Sequence, residues 1–234
     1  MKLQLNDIIR SKNLHTNRDN YVAKPTGGLI HLASNENPNG PSPKVVKVLQ
    51  SIIPNSCRYP NDAAPELMAK LATYCGLSES QVMIGAGSTD IVEMVMRALT
   101  PEDKKVLFPK SSYAIYRNFA NANNMEIAEV GLEDFPSYAE RIIKRANKGD
   151  IGLIIIDNPN NPTGHYLSFA SMKNIIENIS SDIPILIDEA YFEFMANFDD
   201  YATAIPLIKN HSNVIVARTF SKIFGLASLR IGYA

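Results

Sequence analysis

A lysine in an apolar setting is the first residue of this sequence that could do chemistry. Lys222 follows the apolar run at residues 214–217, which predicts a buried strand, so the lysine lies just beyond a strand end. Open α/β sheets present catalytic groups at that place. Partial burial there lowers the pKa of the amine, which can then form a Schiff base with a carbonyl. Ser221 and Arg230 add a hydroxyl and a forked cation that suit a phosphate.

Alternating strand and helix patterns predict the elements that position this lysine, which taken alone could be an ordinary surface residue. Strands are predicted at residues 81–84, 105–108, 125–130, 151–156, 185–187 and 214–216, and helices at 43–53, 65–74, 91–99, 112–121, 136–146 and 168–179. Residues 151–156 are apolar almost throughout, which is typical of a strand buried on both faces. The pattern predicts an α/β fold, a three-layer α/β/α arrangement with a mostly parallel sheet.

Polar side chains follow three of these strands. Residues 157–164 follow the first and contain two Asn-Pro turns, with Asn161 in the second. Asp188 and Tyr191 follow the second strand, and Lys222 follows the third. In a parallel sheet all three ends lie at the same edge, where the binding crevice forms. We therefore expect an amide, a carboxylate, a phenol and a lysine to converge on one pocket.

A glycine turn at residues 85–90 joins a predicted strand to a predicted helix. Such a turn offers free N–H groups at a helix N-terminus to a phosphate. The third glycine of the dinucleotide fingerprint is absent, and Ser88 or Thr89 acting as a helix cap is the plainer interpretation. The turn becomes evidence for a phosphate site only together with the other motifs.

Composition narrows the class of protein. The chain has 234 residues, 45% hydrophobic and 20% charged, as in ordinary globular proteins. The net charge is -1 and no Lys/Arg block occurs, so neither nucleic acid nor a membrane is expected as a partner. No signal peptide or membrane-spanning segment is evident, which favours a cytoplasmic location. Cys57 and Cys75 are too few for a disulfide framework or a metal site, so no metal is expected.

In their order, the motifs resemble those of the pyridoxal-phosphate-dependent class I/II aminotransferases of fold type I, and most closely the histidinol-phosphate aminotransferase branch. The matching text extends from about Tyr21 to the last residue. Its motifs are SNENP at 34–38, GPSP at 40–43, RYP at 58–60, GSTD at 87–90, NPNNPTG at 158–164, DEAY at 188–191, and SK at 221–222 followed by Arg230. The last three are specific in combination.

The resemblance implies that pyridoxal 5'-phosphate is the cofactor and assigns its ring contacts. It implies that Lys222 carries the cofactor, that Asp188 pairs with the ring nitrogen, and that Asn161 and Tyr191 hydrogen-bond the ring oxygen. It also implies that Tyr113 stacks on the ring. A carboxylate beside the nitrogen favours the protonated ring, which is then an electron sink, and a freed Lys222 can shuttle a proton. Lys222, Asp188 and Tyr191 are therefore the expected catalytic residues.

The remaining implied contacts concern the phosphate and the substrate. The resemblance implies that the phosphate is held by Ser88, Thr89, Ser221 and Arg230. Tyr59 is implied to reach the phosphate of a neighbouring subunit, so a homodimer is expected. Tyr21 and Asn35 are the implied substrate contacts.

The resemblance also implies a substrate class, amino acids and 2-oxo acids. Transfer between histidinol phosphate and 2-oxoglutarate, in histidine biosynthesis, is expected first. An aromatic aminotransferase, a threonine-phosphate decarboxylase and a catalytically incompetent cofactor-binding fragment are the alternatives. Asp188-Glu189 after an apolar strand is also typical of the magnesium-binding strand of a P-loop ATPase, but the phosphate loop G-x-x-x-x-G-K-[ST] is missing.

The domain organisation follows the same resemblance. Residues 1–30 are expected to be an arm and lead-in, and residues 31–234 the cofactor-binding large domain, incomplete at its C-terminal end. The family's C-terminal small domain, with the arginine that grips the substrate carboxylate, is expected to be absent. The next strand would begin at Ile231 and leave a neighbouring sheet edge unpaired.

Overall fold

A computed structural model describes residues 32–61 and 64–234 of the chain. The helices in these ranges are α1 (Pro43–Ile52), α2 (Pro65–Cys75), α3 (Ser88–Leu99), α4 (Ile115–Ala122), α5 (Tyr138–Ala146) and α6 (Phe169–Glu177). The strands are β1 (Ile84–Gly85), β2 (Lys105–Pro109), β3 (Glu126–Val130), β4 (Ile151–Asp157), β5 (Ile185–Asp188), β6 (Val214–Thr219) and β7 (Gly232–Tyr233). None of these helices is long and apolar enough to cross a membrane.

The strands form one sheet in the order β1-β7-β6-β5-β4-β2-β3. The strands β2 to β6 pair in parallel, and β7 is antiparallel to both β6 and β1, so the expectation of a mostly parallel sheet is confirmed. The expectation that the strand near Ile231 leaves its neighbour unpaired is wrong. That strand is β7, and it lies between β1 and β6 and pairs with both.

Apolar side chains cover the sheet on both faces, because successive residues of a strand point to opposite sides. Every residue of β4 is buried. Ile154 and Ile156 belong to the core that includes residues of α5 and α6, whereas Leu153 and Ile155 belong to the core that includes residues of α3 and α4. Burying a side chain of this size contributes about 1.5–3 kcal/mol. The three-layer α/β/α arrangement is confirmed.

Two helix boundaries differ from the sequence-based prediction in a way that matters for the site. Helix α3 begins at Ser88, and its N-cap is Gly87 at φ 88°, so neither Ser88 nor Thr89 is the cap. Helix α4 begins only at Ile115, because the chain needs several residues beyond the end of β2 to turn over the sheet edge. Tyr113 therefore lies in the loop before α4 rather than in the helix.

Candidate active site

Lys222 lies beyond the carboxyl end of β6 and is half-buried. Its Nζ donates a hydrogen bond of 2.7 Å to the backbone carbonyl of Ser34 and lies 5.5 Å from the centre of the Tyr191 ring. Burial lowers the pKa of Lys222, in the direction expected from the sequence, although the carboxylates of Glu36 and Asp188 act in the opposite sense. The amine is thus easier to deprotonate than that of a surface lysine.

Asp188 is the last residue of β5 and only 4% exposed. Its Oδ2 accepts a hydrogen bond of 2.9 Å from the Tyr116 hydroxyl, and its Oδ1 accepts one of 3.1 Å from the backbone N–H of Ala190. Burial raises the pKa of Asp188 to about 6, against the effect of these two donors and of Lys222. The carboxyl is therefore mostly ionised at neutral pH, and it can face a cation.

A second buried carboxyl, Asp157, lies at the neighbouring strand end, where its Cα is the register partner of Asp188. Its Oδ1 accepts from Asn160 Nδ2 at 2.9 Å and its Oδ2 from the backbone N–H of Asn161 at 3.1 Å. Burial raises the pKa of Asp157 to about 7. These bonds hold the loop 158–164 in place and direct Asn161 toward the pocket.

Tyr191 connects three parts of the chain at this edge. Its hydroxyl oxygen accepts hydrogen bonds from Asn161 Nδ2 at 3.4 Å and from Asn35 Nδ2 at 3.0 Å. Close to Asn35, the side chain of Asn37 donates to the backbone carbonyl of Ile223 at 2.7 Å. The segment 34–37 consequently lies against the lysine stretch, and the predicted convergence of amide, carboxylate, phenol and lysine is what the structure contains.

The groups expected to hold a phosphate also lie together. Ser88 and Thr89 form the start of α3, and Ser88 is buried while Thr89 is half-buried. Arg230 places Nη1 3.4 Å from Ser221 Oγ, and its Nη2 contacts the carbonyl before Gly87 at 3.3 Å. The helix start, a serine hydroxyl and a guanidinium thus lie close together.

Gly87 is needed for this arrangement. A Cβ added there would lie 2.5 Å from Arg230 Nη2, and the residue has a positive φ of 88°. Only glycine adopts that backbone conformation without strain and leaves room for the guanidinium. The glycine turn that was weak evidence alone is therefore part of the same pocket as Arg230.

Of the three other predicted tyrosines, the structure describes Tyr113 and Tyr59. Tyr113 is 38% exposed and packs edge-on against Tyr116, with ring centres 5.9 Å apart at 84°. Tyr59 is 98% exposed, so it does not pack into the pocket of its own chain. Tyr21 lies outside the described residues.

Residues for which the sequence predicted no role in the site form a buried ion pair next to it. Glu189 and Arg218 form a buried ion pair, with Arg218 Nε and Nη2 at 3.0 and 2.8 Å from Glu189 Oε2. Thr203 and the backbone of Ala204 donate to the same carboxylate, and the Arg218 guanidinium lies 3.8 Å from the centre of the Phe192 ring. This pair ties the residue after β5 to β6, so it joins the strand that ends in Asp188 to the strand that precedes Lys222.

Tyr116 is a third residue that supports the site, through its hydrogen bond to Asp188. The only signal in the sequence is its spacing with Phe119 and Ala120, which places it on the inner face of α4. That spacing predicts core packing but not the hydroxyl contact with Asp188.

The mostly parallel sheet, with a lysine, a buried carboxylate, an amide and a phenol gathered at the carboxyl ends of its strands, has the α/β fold of the fold-type I class. The chain belongs to the family described as aminotransferase class I and II, which it matches over residues 28–234. The match includes every described residue of the pocket.

Individual relatives agree with this assignment. The chain is 36% identical over 208 residues to histidinol-phosphate aminotransferase of Staphylococcus aureus strain MSSA476, covering 88% of this chain and 58% of that protein. It is 33% identical over 232 residues to histidinol-phosphate aminotransferase 1 of Bacillus cereus, covering 99% and 61%. The chain thus spans about 58% of the length of the first of these curated relatives.

Solved structures have the same fold. The histidinol-phosphate aminotransferase from Sinorhizobium meliloti in complex with pyridoxal-5'-phosphate has a TM-score of 0.79 and 26% identity, covering 86% of this chain and 54% of that one. An L-threonine-O-3-phosphate decarboxylase from Porphyromonas gingivalis has a TM-score of 0.70 and covers 82% and 58%. At 20% identity the latter shows the shared fold alone.

Proposed function

We propose that this chain forms the cofactor-binding part of a pyridoxal-phosphate-dependent aminotransferase that exchanges the amino group between histidinol phosphate and 2-oxoglutarate. The observation that carries the proposal is the gathering of Lys222, Asp188, Asn161 and Tyr191 at neighbouring strand ends. A half-buried amine of lowered pKa beside a buried carboxylate is the pairing that such chemistry needs.

The described residues fit pyridoxal phosphate. The N–H groups at the start of α3, the Ser221 hydroxyl and the Arg230 guanidinium, which lies close to Gly87, suit a phosphate dianion. Asp188 would meet the protonated ring nitrogen, and Asn161 and Tyr191 the ring oxygen. Thr89 and Tyr113 complete the proposed set, at the phosphate and the ring face respectively.

The cofactor, when bound, supplies an electron sink for the carbanion formed at the substrate Cα. Lys222 Nζ first leaves the carbonyl of Ser34 and later takes the proton from the substrate Cα as a general base. Its lowered pKa makes the neutral amine available for that step. Asp188 would keep its negative charge toward the ring nitrogen, and it accepts hydrogen bonds from Tyr116 and Ala190 that hold its carboxylate.

A borohydride experiment tests the central assignment. The purified chain is mixed with pyridoxal phosphate, reduced, digested and sequenced by mass spectrometry. The label is expected on Lys222, absent from Lys222→Ala and retained in Lys209→Ala, an exposed lysine at the surface. An unchanged amount of label in Lys222→Ala would contradict the proposal.

The amino donor rests on the named relatives and on the segment at Asn35, which contacts Tyr191. A panel of half-reactions tests it by following conversion of the cofactor to its pyridoxamine form with histidinol phosphate, phenylalanine and glutamate. Conversion by histidinol phosphate and glutamate is expected. Conversion by phenylalanine alone would indicate an aromatic aminotransferase. Release of carbon dioxide from threonine phosphate would indicate a decarboxylase. No reaction despite a labelled Lys222 would indicate a non-catalytic cofactor-binding chain.

We also propose that the chain acts as a homodimer in which Tyr59 completes the partner's phosphate site. Tyr59 is almost fully exposed, and no residue of α1 is buried; Val48 and Ile52 in this helix and Ile53 directly after it are exposed apolar side chains. Such a surface is typical of an interface. Sedimentation is expected to give a dimer, and Tyr59→Phe is expected to weaken cofactor binding; a folded monomer of full affinity would contradict this.

Two further expectations remain predictions of the same proposal. Residues 31–234 would form the large domain, with the arm at 1–30 as a lead-in, and the protein would be cytoplasmic. Limited proteolysis tests the first, because cleavage is expected near residue 30 before the described elements are cut. Fractionation of cells that express the chain tests the second.

A further inference from the structure

Tyr116 occupies an unusual position for a tyrosine. It lies in the first turn of α4 and has no exposed surface. Its ring packs against Phe108 at 6.1 Å and against Tyr113 at 5.9 Å between ring centres. A residue that served only to fill this core could be phenylalanine, since burial of a hydroxyl is unfavourable unless it is hydrogen-bonded.

The hydroxyl has one specific use here. It donates to Asp188 Oδ2 at 2.9 Å, across from the N–H of Ala190 on Oδ1. Two donors on different oxygens fix the plane of the carboxylate. A hydrogen bond to the charged form of an acid favours that form, and the effect is large where water is excluded.

We propose that Tyr116 is a positioning residue of the site: its hydroxyl orients the Asp188 carboxylate and stabilises its negative charge, while its ring edge sets the place of Tyr113. This rests on the proposed function, in which Asp188 meets the ring nitrogen of the cofactor and Tyr113 its face. Tyr116 touches neither substrate nor cofactor and acts through these two side chains. It therefore links the two proposed ring contacts in one residue.

Other charged and titratable groups also affect the pKa of the Asp188 carboxyl. The titratable groups that interact with it come from α4, β4, the turn after β5 and the stretch after β6; they are Tyr116, Asp157, Glu189, Tyr191 and Lys222. Asp157 and Glu189 disfavour its negative charge and Lys222 favours it.

The first experiment uses the protein without cofactor. The pKa of Asp188 is measured by carbon-13 NMR of its carboxyl in the unaltered chain and in Tyr116→Phe, and a rise of about one pKa unit is expected. Tyr201→Phe is the matched control, because it removes a hydroxyl from another buried tyrosine, one that donates to the backbone carbonyl of Asn158 at 2.7 Å. An equal Asp188 pKa in Tyr116→Phe and the unaltered chain would overturn the proposal.

A second variant, which keeps the hydroxyl, tests the same contact if Tyr116→Phe does not fold. In 3-fluorotyrosine at position 116 the hydroxyl is a stronger donor, so the pKa of Asp188 is expected to fall. A loss of packing would not raise the pKa of Asp188 in Tyr116→Phe and lower it with 3-fluorotyrosine. A rise with fluorotyrosine would overturn the proposal even if the phenylalanine variant were insoluble.

The second experiment uses the protein loaded with pyridoxal phosphate. Tyr116→Phe is expected to reduce kcat about tenfold with little change in KM, and to have no further effect in an Asp188→Asn background. Equal losses in both backgrounds would overturn the link through Asp188. Failure of the cofactor to label Lys222 in the unaltered chain would contradict the proposed function, while the NMR result would still decide the Tyr116 contact.

Discussion

Replacing Asp157 by asparagine removes one of two buried carboxyls at the carboxyl edge of the sheet. Burial raises the pKa of Asp157 from the ordinary 3.8 to about 7. Between about pH 4 and pH 7 the folded chain therefore holds a proton on this carboxyl that the unfolded chain has released. The stability that this group contributes is full below about pH 4 and is lost as the pH rises through about 7. Asparagine resembles the protonated acid and does not titrate.

The size of the effect follows from the two pKa values. A difference of about 3 pKa units corresponds to about 4 kcal/mol of unfolding free energy across that pH range. The stability of Asp157→Asn relative to the unaltered chain is therefore expected to increase between pH 4 and pH 7 and to be constant above it. Asp188, whose pKa burial raises to about 6, adds a slope of the same sign to both proteins.

Urea unfolding followed by circular dichroism at pH 5 and pH 8 measures this difference in the cofactor-free chain. Asp182→Asn is the matched control, because Asp182 is exposed on a loop and its replacement is expected to change stability by less than about 0.5 kcal/mol at either pH. If the stability difference between Asp157→Asn and the unaltered chain were the same at pH 5 and pH 8, the reasoning about Asp157 would be refuted.

Two other substitutions test the supporting structure. Glu189→Gln leaves Arg218 buried without its charge partner and is expected to cost about 3–5 kcal/mol in urea unfolding, whereas Glu177→Gln breaks only an exposed helical pair and should cost less than about 0.5 kcal/mol. Gly87→Ala is expected to displace Arg230 and weaken pyridoxal phosphate binding at least about tenfold by absorbance titration. Gly164→Ala has a similar positive φ of 75° but no atom within 4 Å of the new Cβ, so equal losses of affinity in both variants would argue against the Arg230 overlap.

The main lines of the fold could be predicted because buried parallel strands leave a clear pattern. The continuous apolar run of β4 indicated burial on both faces, and the polar residues after β4, β5 and β6 indicated a shared edge. Lys222, Asp188 and Asn161 were found in this way because Asp188 ends a strand and the other two lie within four residues of a strand end. The local sequence shows where each strand ends, and parallel pairing brings those ends to the same edge of the sheet.

Contacts between layers could not be predicted in the same way. Whether the hydroxyl of Tyr116 meets Asp188 depends on how α4 packs across β5, and no local pattern encodes that crossing. The start of α3 was also misplaced, because the helix was predicted from residue 91 and begins at Ser88, with Gly87 rather than Ser88 or Thr89 as its cap. Serine is a common cap, but the cap is Gly87, which has a positive φ and lies too close to Arg230, from a distant segment, to carry a side chain.

The hydrogen bonds that build the pocket join residues far apart in the chain. Asn161 and Tyr191 are 30 positions apart, and Lys222 and Ser34 are 188 apart. Contacts of this kind form only after long loops have closed, which makes parallel sheets slow to fold compared with helical proteins. No short segment can assemble the pocket alone, so it forms only when β4, β5 and β6 have paired. During refolding, the time at which ligand binding returns therefore reports when the sheet is complete.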